Sequence, residues 1–96
     1  SVEEYAFYNA LVADPKVLEE MQDSVLVDMA QELTDMIRKN RTVDWDKKES
    51  ARAAMRSMVK RLLRKYKYPP EKAQGAIEIV IKQAELMSSN MDMLMS

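Results

Sequence analysis

The residues most able to carry out chemistry in this sequence lie between Asp46 and Lys48, where Asp-Lys-Lys has the D-x-K form of some metal-dependent nucleases. Such a centre needs carboxylates that converge on a cation and a lysine that stabilises charge in the transition state. A second group of acids, Asp28, Glu32 and Asp35, has a spacing that places it on one helical face, where it could bind magnesium. The chain has no cysteine and no histidine, which excludes thiol chemistry, histidine-based triads and zinc fingers.

Both groups of carboxylates also have a structural interpretation. Asp46 and Glu49 have the spacing of a capping box, in which each side chain accepts a hydrogen bond from the backbone amide of the other residue. The acidic stripe lies on a different helical face from apolar residues, and such a stripe is ordinarily solvated. We therefore predict no catalytic, cofactor-binding or metal-binding residue in this chain.

Trp45, the only tryptophan, directly precedes the predicted cap. Its ring could stack on a nucleic-acid base, or it could fold over the start of the next helix and contact the neighbouring helices. Few aromatic residues lie near it, and its large apolar area favours the packing interpretation. We expect Trp45 to be a structural residue at a corner of the fold.

The elements that position these residues are predicted to be helices, because the chain has one glycine, three prolines and a single short β-branched run. Prolines and apolar periodicity predict one all-α domain over residues 1–96, a bundle of about four helices. Their approximate spans are 2–13, 15–39 with a candidate break near 22–24, 46–66 and 70–88. Tyr66 belongs to the apolar stripe of the third helix, and Pro69 and Pro70 prevent its continuation. Residues 89–96 are predicted to be frayed.

Charge is distributed unevenly along the chain, although the net charge is only -1. Residues 1–37 contain nine acids and one lysine, whereas residues 38–67 contain twelve bases and three acids. Much of the positive charge lies on the third predicted helix, at Arg52, Arg56, Lys60, Arg61, Arg64 and Lys65. Such a row could bind a partner protein or the phosphates of duplex DNA, or it could be neutralised by the acidic first part of the domain.

The motifs T-V-D-W at residues 42–45 and V-K-R-L-L-R-K-Y at residues 59–66, followed by Tyr68-Pro69-Pro70, resemble a known family. They are similar to the C-terminal helical domain of the restriction (R) subunit of type I restriction-modification enzymes. The resemblance covers almost the whole chain. It departs from the family pattern at Lys67, where the family usually has glycine, and this departure puts the geometry at the end of the third helix in question.

The resemblance implies a non-catalytic assembly domain that docks the R subunit onto the methylation subunit of the modification core. It implies that the chain is the C-terminal part of a larger subunit, whose other domains cleave and translocate DNA with ATP and Mg²⁺. No apolar stretch is long enough to span a bilayer, so we expect no membrane partner and a cytoplasmic location. The alternative function is an auxiliary clamp, in which the basic third helix binds duplex DNA for the motor.

Overall fold

The computed structural model describes residues 1–42 and 44–95, and within α5 it describes side chains as far as Ser88. The helices are α1 (Val2–Leu11), α2 (Lys16–Glu20), α3 (Asp23–Asn40), a 3-10 helix (Trp45–Lys47), α4 (Glu49–Lys65) and α5 (Pro70–Met95). The described residues contain no strand, so the all-α prediction is confirmed. Helix α5 continues past its predicted end at residue 88. The fraying of residues 89–96 stays a prediction, because it concerns side chains, and Ser96 as a whole, that lie outside the described part.

Short polar side chains begin the first two helices. The Oγ of Ser1 accepts a hydrogen bond from the amide of Glu4 at 3.2 Å. The Oδ1 of Asp14 accepts one from the amide of Lys16 at 3.0 Å, although the N-cap position of α2 is Pro15 and not Asp14, whose residue type before a proline predicts a cap. Both contacts satisfy amides that have no partner within the helix.

The predicted break in the second helix is present, because Met21 and Gln22 have extended backbones between α2 and α3. Asp23 and Ser24, whose residue types predict an N-cap after this break, do not cap α3. Gln22 is the N-cap, without a side-chain hydrogen bond, and Asp23 is the first helical residue. The carboxylate of Asp23 instead accepts a hydrogen bond from the hydroxyl of Tyr8, which ties α3 to α1.

The predicted capping box at Asp46 and Glu49 does not form. Asp46 lies within the 3-10 helix, and α4 begins at Glu49 with Lys48 as an N-cap that makes no side-chain hydrogen bond. The physical reason is the burial of Trp45, which is 2% exposed. The segment containing Trp45 closes into a tight turn, in which the amide of Lys48 donates to the carbonyl of Trp45 at 3.3 Å. Asp46 is therefore inside a turn and not at the start of an α-helix.

The core is formed by the apolar faces of all the helices. Helix α1 packs against α3 and α5, and α4 packs against α3, α5 and the 3-10 helix. The largest fully buried side chains are Phe7, Leu11, Leu26, Met29, Leu33, Met55, Leu63 and Ile81. Trp45 joins this core, and its Nε1 donates a hydrogen bond to the Oγ of buried Ser88 at 2.9 Å. This contact connects the 3-10 helix to α5, so Trp45 lies at a corner where three elements meet.

Two residues after the end of α4 at Lys65, Lys67 adopts a backbone conformation that glycine favours. The backbone of Lys67 is left-handed, with φ of 59°. The amide of Tyr68 donates to the carbonyl of Leu63 at 2.9 Å, and the amide of Lys67 donates to that of Arg64 at 3.0 Å. This pair of hydrogen bonds defines a Schellman motif, in which the left-handed position is usually occupied by glycine.

Replacing Lys67 with glycine is therefore expected to raise the free energy of unfolding by about 1 kcal/mol. Glycine removes the steric cost of a left-handed residue, and its greater freedom in the unfolded chain offsets part of the gain. Urea denaturation followed by circular dichroism measures the difference. Lys60→Gly, in the exposed middle of the same helix, is the control and should be destabilising by about 1 kcal/mol. A Lys67→Gly variant less stable than the wild type would contradict this account.

Candidate interaction surface on α4

Arg52 and Arg56 are engaged by α5 and not by the acidic first part of the domain. The Nε of Arg52 lies 3.0 Å from Glu85 Oε1, and the Nε of Arg56 lies 3.3 Å from Glu78 Oε1. Both arginine side chains are about one-third exposed, 33% for Arg52 and 32% for Arg56. Neither Nε has a well-directed hydrogen bond within the described residues, so these contacts are mainly charge pairs. They stabilise the packing of α4 against α5.

The acidic and basic parts of the chain meet at Lys65, as they also do where Arg38 Nε lies 2.8 Å from Glu3 Oε2. The Nζ of Lys65 lies 3.1 Å from both carboxylate oxygens of Glu32, and the hydroxyl of Tyr66 donates to Glu32 Oε1 at 3.0 Å. The hydrogen bond from Lys65 lowers the pKa of Glu32, and the same contact raises the pKa of Lys65. Both groups therefore stay charged at neutral pH, and the pair bridges α3 and α4.

Lys60, Arg61 and Arg64 have a different environment. All three side chains are exposed, and none makes an ion pair with any residue in the described part of the chain. Lys60 and Arg64 are four residues apart and lie on the outer face of α4, while Arg61 points towards α3. We call these three residues the cationic ridge. Of the six predicted surface cations, these three have charges that are available to a partner.

An open groove of about 280 Å³ lies beside the cationic ridge, between α3 and α4. Its apolar floor is formed by Met36, Met58 and Leu62, and its charged rim by Glu32, Arg61 and Lys65. Apolar periodicity by itself predicts that Met36 and Met58 are core residues, yet both are only partly buried. Both lie at the edge of an apolar helical stripe, a position from which periodicity cannot separate core from surface.

The structure does not bring the candidate nuclease residues together. Asp46 is partly buried within the 3-10 helix, while Lys48 is exposed at the N-cap of α4. On α3, Asp28 and Asp35 are exposed and Glu32 is bound by Lys65. Among the described residues there is no group of three or more acidic, cysteine or histidine side chains that could hold a metal ion. No helix in the same part of the chain has the length and apolar character needed to cross a membrane.

Fold and surface together define a small all-α domain with a mixed apolar and cationic exposed face. Over residues 1–90 the chain matches the family described as type I restriction enzyme HindI endonuclease subunit-like, C-terminal, and it belongs to that family. The HindI endonuclease subunit of Haemophilus influenzae is 46% identical over 89 residues, which are 93% of this chain and 8% of that subunit. No solved structure matches the chain.

Proposed function

We propose that this domain is a non-catalytic assembly domain, which attaches the endonuclease subunit of a type I restriction-modification enzyme to the methylation subunit of the modification core. The chain spans about a twelfth of the length of the relative that it matches, so the activities of the whole subunit are part of this proposal. These are DNA cleavage and translocation driven by ATP and Mg²⁺, carried out in the cytoplasm by other domains.

The observation that carries the proposal is an apolar groove beside three exposed cations of α4 that make no ion pair with any described residue. Protein interfaces combine an apolar centre with charged residues at the rim, and arginine is enriched in them. A catalytic centre would instead need converging polar groups of perturbed pKa in a pocket, whereas the groove floor consists of methionine and leucine. Family membership supplies the type of complex in which such a surface would be used.

Deletion of this domain from the full-length subunit tests the proposal. We expect assembly with the purified methylation core to weaken by about 100-fold or more, measured by analytical ultracentrifugation. The control is the unfolding transition of the remaining domains, which should be unchanged if they fold independently. A truncated subunit that assembles with wild-type affinity would overturn the proposed function.

A second function, an auxiliary clamp for duplex DNA, is favoured by one observation: Lys60 and Arg64 form an exposed row at helical spacing. If this row binds phosphates, replacing both residues with alanine should weaken DNA binding by the full-length subunit. It should also reduce the slope of log K against log salt by about one unit for each lost contact. An unchanged slope would remove the clamp.

A further inference from the structure

We infer that the groove between α3 and α4 is the docking site for an amphipathic helix of the partner subunit, with carboxylates on the flank that faces α4. This inference rests on the proposed function, because it names the chemistry of the segment that the assembly domain would bind. The partner helix would place large apolar side chains on Met36, Met58 and Leu62. Its acidic residues would contact Arg61 and Arg64.

The geometry of the groove favours a helix lying over it. At one end of the groove, Glu32 on α3 contacts Lys65, which precedes Tyr66 at the end of α4. One turn further along α3, Met36 lines the groove together with Met58, which comes earlier in α4 than Lys65. Helices α3 and α4 therefore run in opposite directions here. The ion pair therefore bounds one end of the groove. The groove is open to solvent and lies between two helices, which form its walls. The groove thus accepts side chains from a helix above it.

The side chains on the groove floor suit this mode of recognition. Met36 and Met58 are both partly buried, and both line the groove. Methionine adapts its shape to an incoming apolar side chain, and helix-in-groove recognition elsewhere uses methionine-lined surfaces in this way. Removing the partly exposed apolar surface of this floor from water is favourable, and a bound partner would achieve this by covering it.

The charge on the two rims determines the chemistry of the occupant. On α4, Arg61 lies at the groove rim and Arg64 lies three residues further on, towards the outer face, and neither has an ion-pair partner among the described residues. On α3, Asp28 and Asp35 are exposed, and their spacing places them on the same helical face as the groove residue Glu32. Charge complementarity therefore calls for a helix that is acidic where it faces α4 and basic where it faces α3.

The same rims argue against duplex DNA in this groove. Phosphates that entered the groove beside Arg61 would approach Glu32 on its rim and the carboxylates of Asp28 and Asp35, which share a helical face with Glu32. A duplex backbone would also leave the methionine and leucine floor uncovered by apolar groups. A protein helix satisfies the apolar floor and both charged rims together.

Two variants of the full-length subunit test the inference. Arg61→Glu combined with Arg64→Glu reverses the α4 rim, and Met58→Gln makes the floor polar at similar side-chain length. We expect each to weaken assembly with the methylation core by about 10- to 100-fold, measured by titration at fixed salt.

Each test variant has a matched control outside the groove. For the double arginine variant it is Lys48→Glu combined with Lys82→Glu, at two exposed cations, and for Met58→Gln it is Met21→Gln, at a partly buried methionine. We expect both controls to stay within about threefold of the wild type. Thermal unfolding of each variant verifies its fold.

A photo-crosslinking residue at Met58 in the assembled complex gives a readout that does not depend on affinity. The expected product joins this position to a partner segment whose apolar residues recur at helical spacing and alternate with Asp and Glu. A crosslink to DNA, or groove variants that assemble as the controls do, would overturn the inference. If domain deletion itself leaves assembly intact, the proposed function fails; if deletion abolishes assembly and the groove variants do not weaken it, only the groove assignment fails.

Discussion

Replacing Trp45 with alanine is expected to lower the free energy of unfolding by about 3–5 kcal/mol, the range for removing a large aromatic side chain from a core. The indole is 2% exposed and lies where the 3-10 helix meets α4 and α5. Its removal would leave a cavity that the neighbouring helices fill only in part. The change would also remove the hydrogen bond from Nε1 to Ser88 Oγ, which measures 2.9 Å. Since native proteins have about 5–15 kcal/mol of stability, this single change would remove a large fraction of it.

Urea denaturation followed by far-ultraviolet circular dichroism measures this effect, because the variant lacks the only tryptophan fluorophore. Ser88→Ala serves as the partial variant. It keeps the ring in the core but leaves the buried indole N–H without its acceptor, at a cost of about 1–3 kcal/mol. If Trp45→Ala costs less than Ser88→Ala, the ring does not have the packing role assigned to it.

Replacing Tyr68 with phenylalanine is expected to lower the free energy of unfolding by about 1–3 kcal/mol at neutral pH. The side chain is 5% exposed, and its hydroxyl donates a hydrogen bond to the carbonyl of Leu11 at 2.6 Å. Phenylalanine fills nearly the same volume but leaves this buried carbonyl without the donor. The contact joins the end of α1 to the segment before α5, so its loss weakens the packing between these helices. Tyr5→Phe, at a position that is 70% exposed, is the matched control and should be near neutral.

Ionisation of the same tyrosine is expected to make the free energy of unfolding depend on pH in the alkaline range. Burial, with a smaller contribution from the nearby Asp14 carboxylate, raises the pKa of Tyr68 to about 12. An unfolded tyrosine has its ordinary pKa of about 10, so between these values the folded state binds more protons than the unfolded state. Stability should therefore be fully present below about pH 10 and fall as pH rises towards 12.

Denaturant melts at several pH values from 8 to about 11 measure this dependence. The difference in unfolding free energy between wild type and Tyr68→Phe isolates the contribution of Tyr68 from the other groups that titrate there. We expect this difference to shrink as pH rises above about 10. A difference that stays constant over the whole range would mean that the hydroxyl is not held in its neutral form by the fold.

Helix positions were largely predictable because the information that specifies them is local. The apolar spacing on α3 and α4, Asp14 before a proline, and the two prolines before α5 each act within a few residues. The predicted capping box at Asp46 failed for the opposite reason. Its spacing is correct, but the burial of Trp45 against α5 places the segment in a 3-10 turn, and this burial depends on a residue as distant as Ser88.

The candidate interaction surface on α4 also has features that local sequence predicts and features that depend on tertiary contacts. The sequence places six cations on α4, but it does not distinguish Arg52, which pairs with Glu85, from Arg64, which has no ion-pair partner within the described residues. Helical periodicity places Arg52 and Arg64 outside the apolar stripe, so it predicts that both are exposed. The difference arises because one flank of α4 lies against α5 while its outer face contacts no other described element.

The amino-acid sequence by itself determined the all-α class, the approximate limits of the helices and the family to which the chain belongs, because periodicity, turn residues and motifs are properties of neighbouring residues. Only the tertiary structure decided which charges are paired, which methionines line a surface groove and against which elements Trp45 packs. The physical reason is that an ion pair or a groove forms between helices. Its existence depends on the packing of segments that are far apart in the chain, and no local pattern encodes that packing.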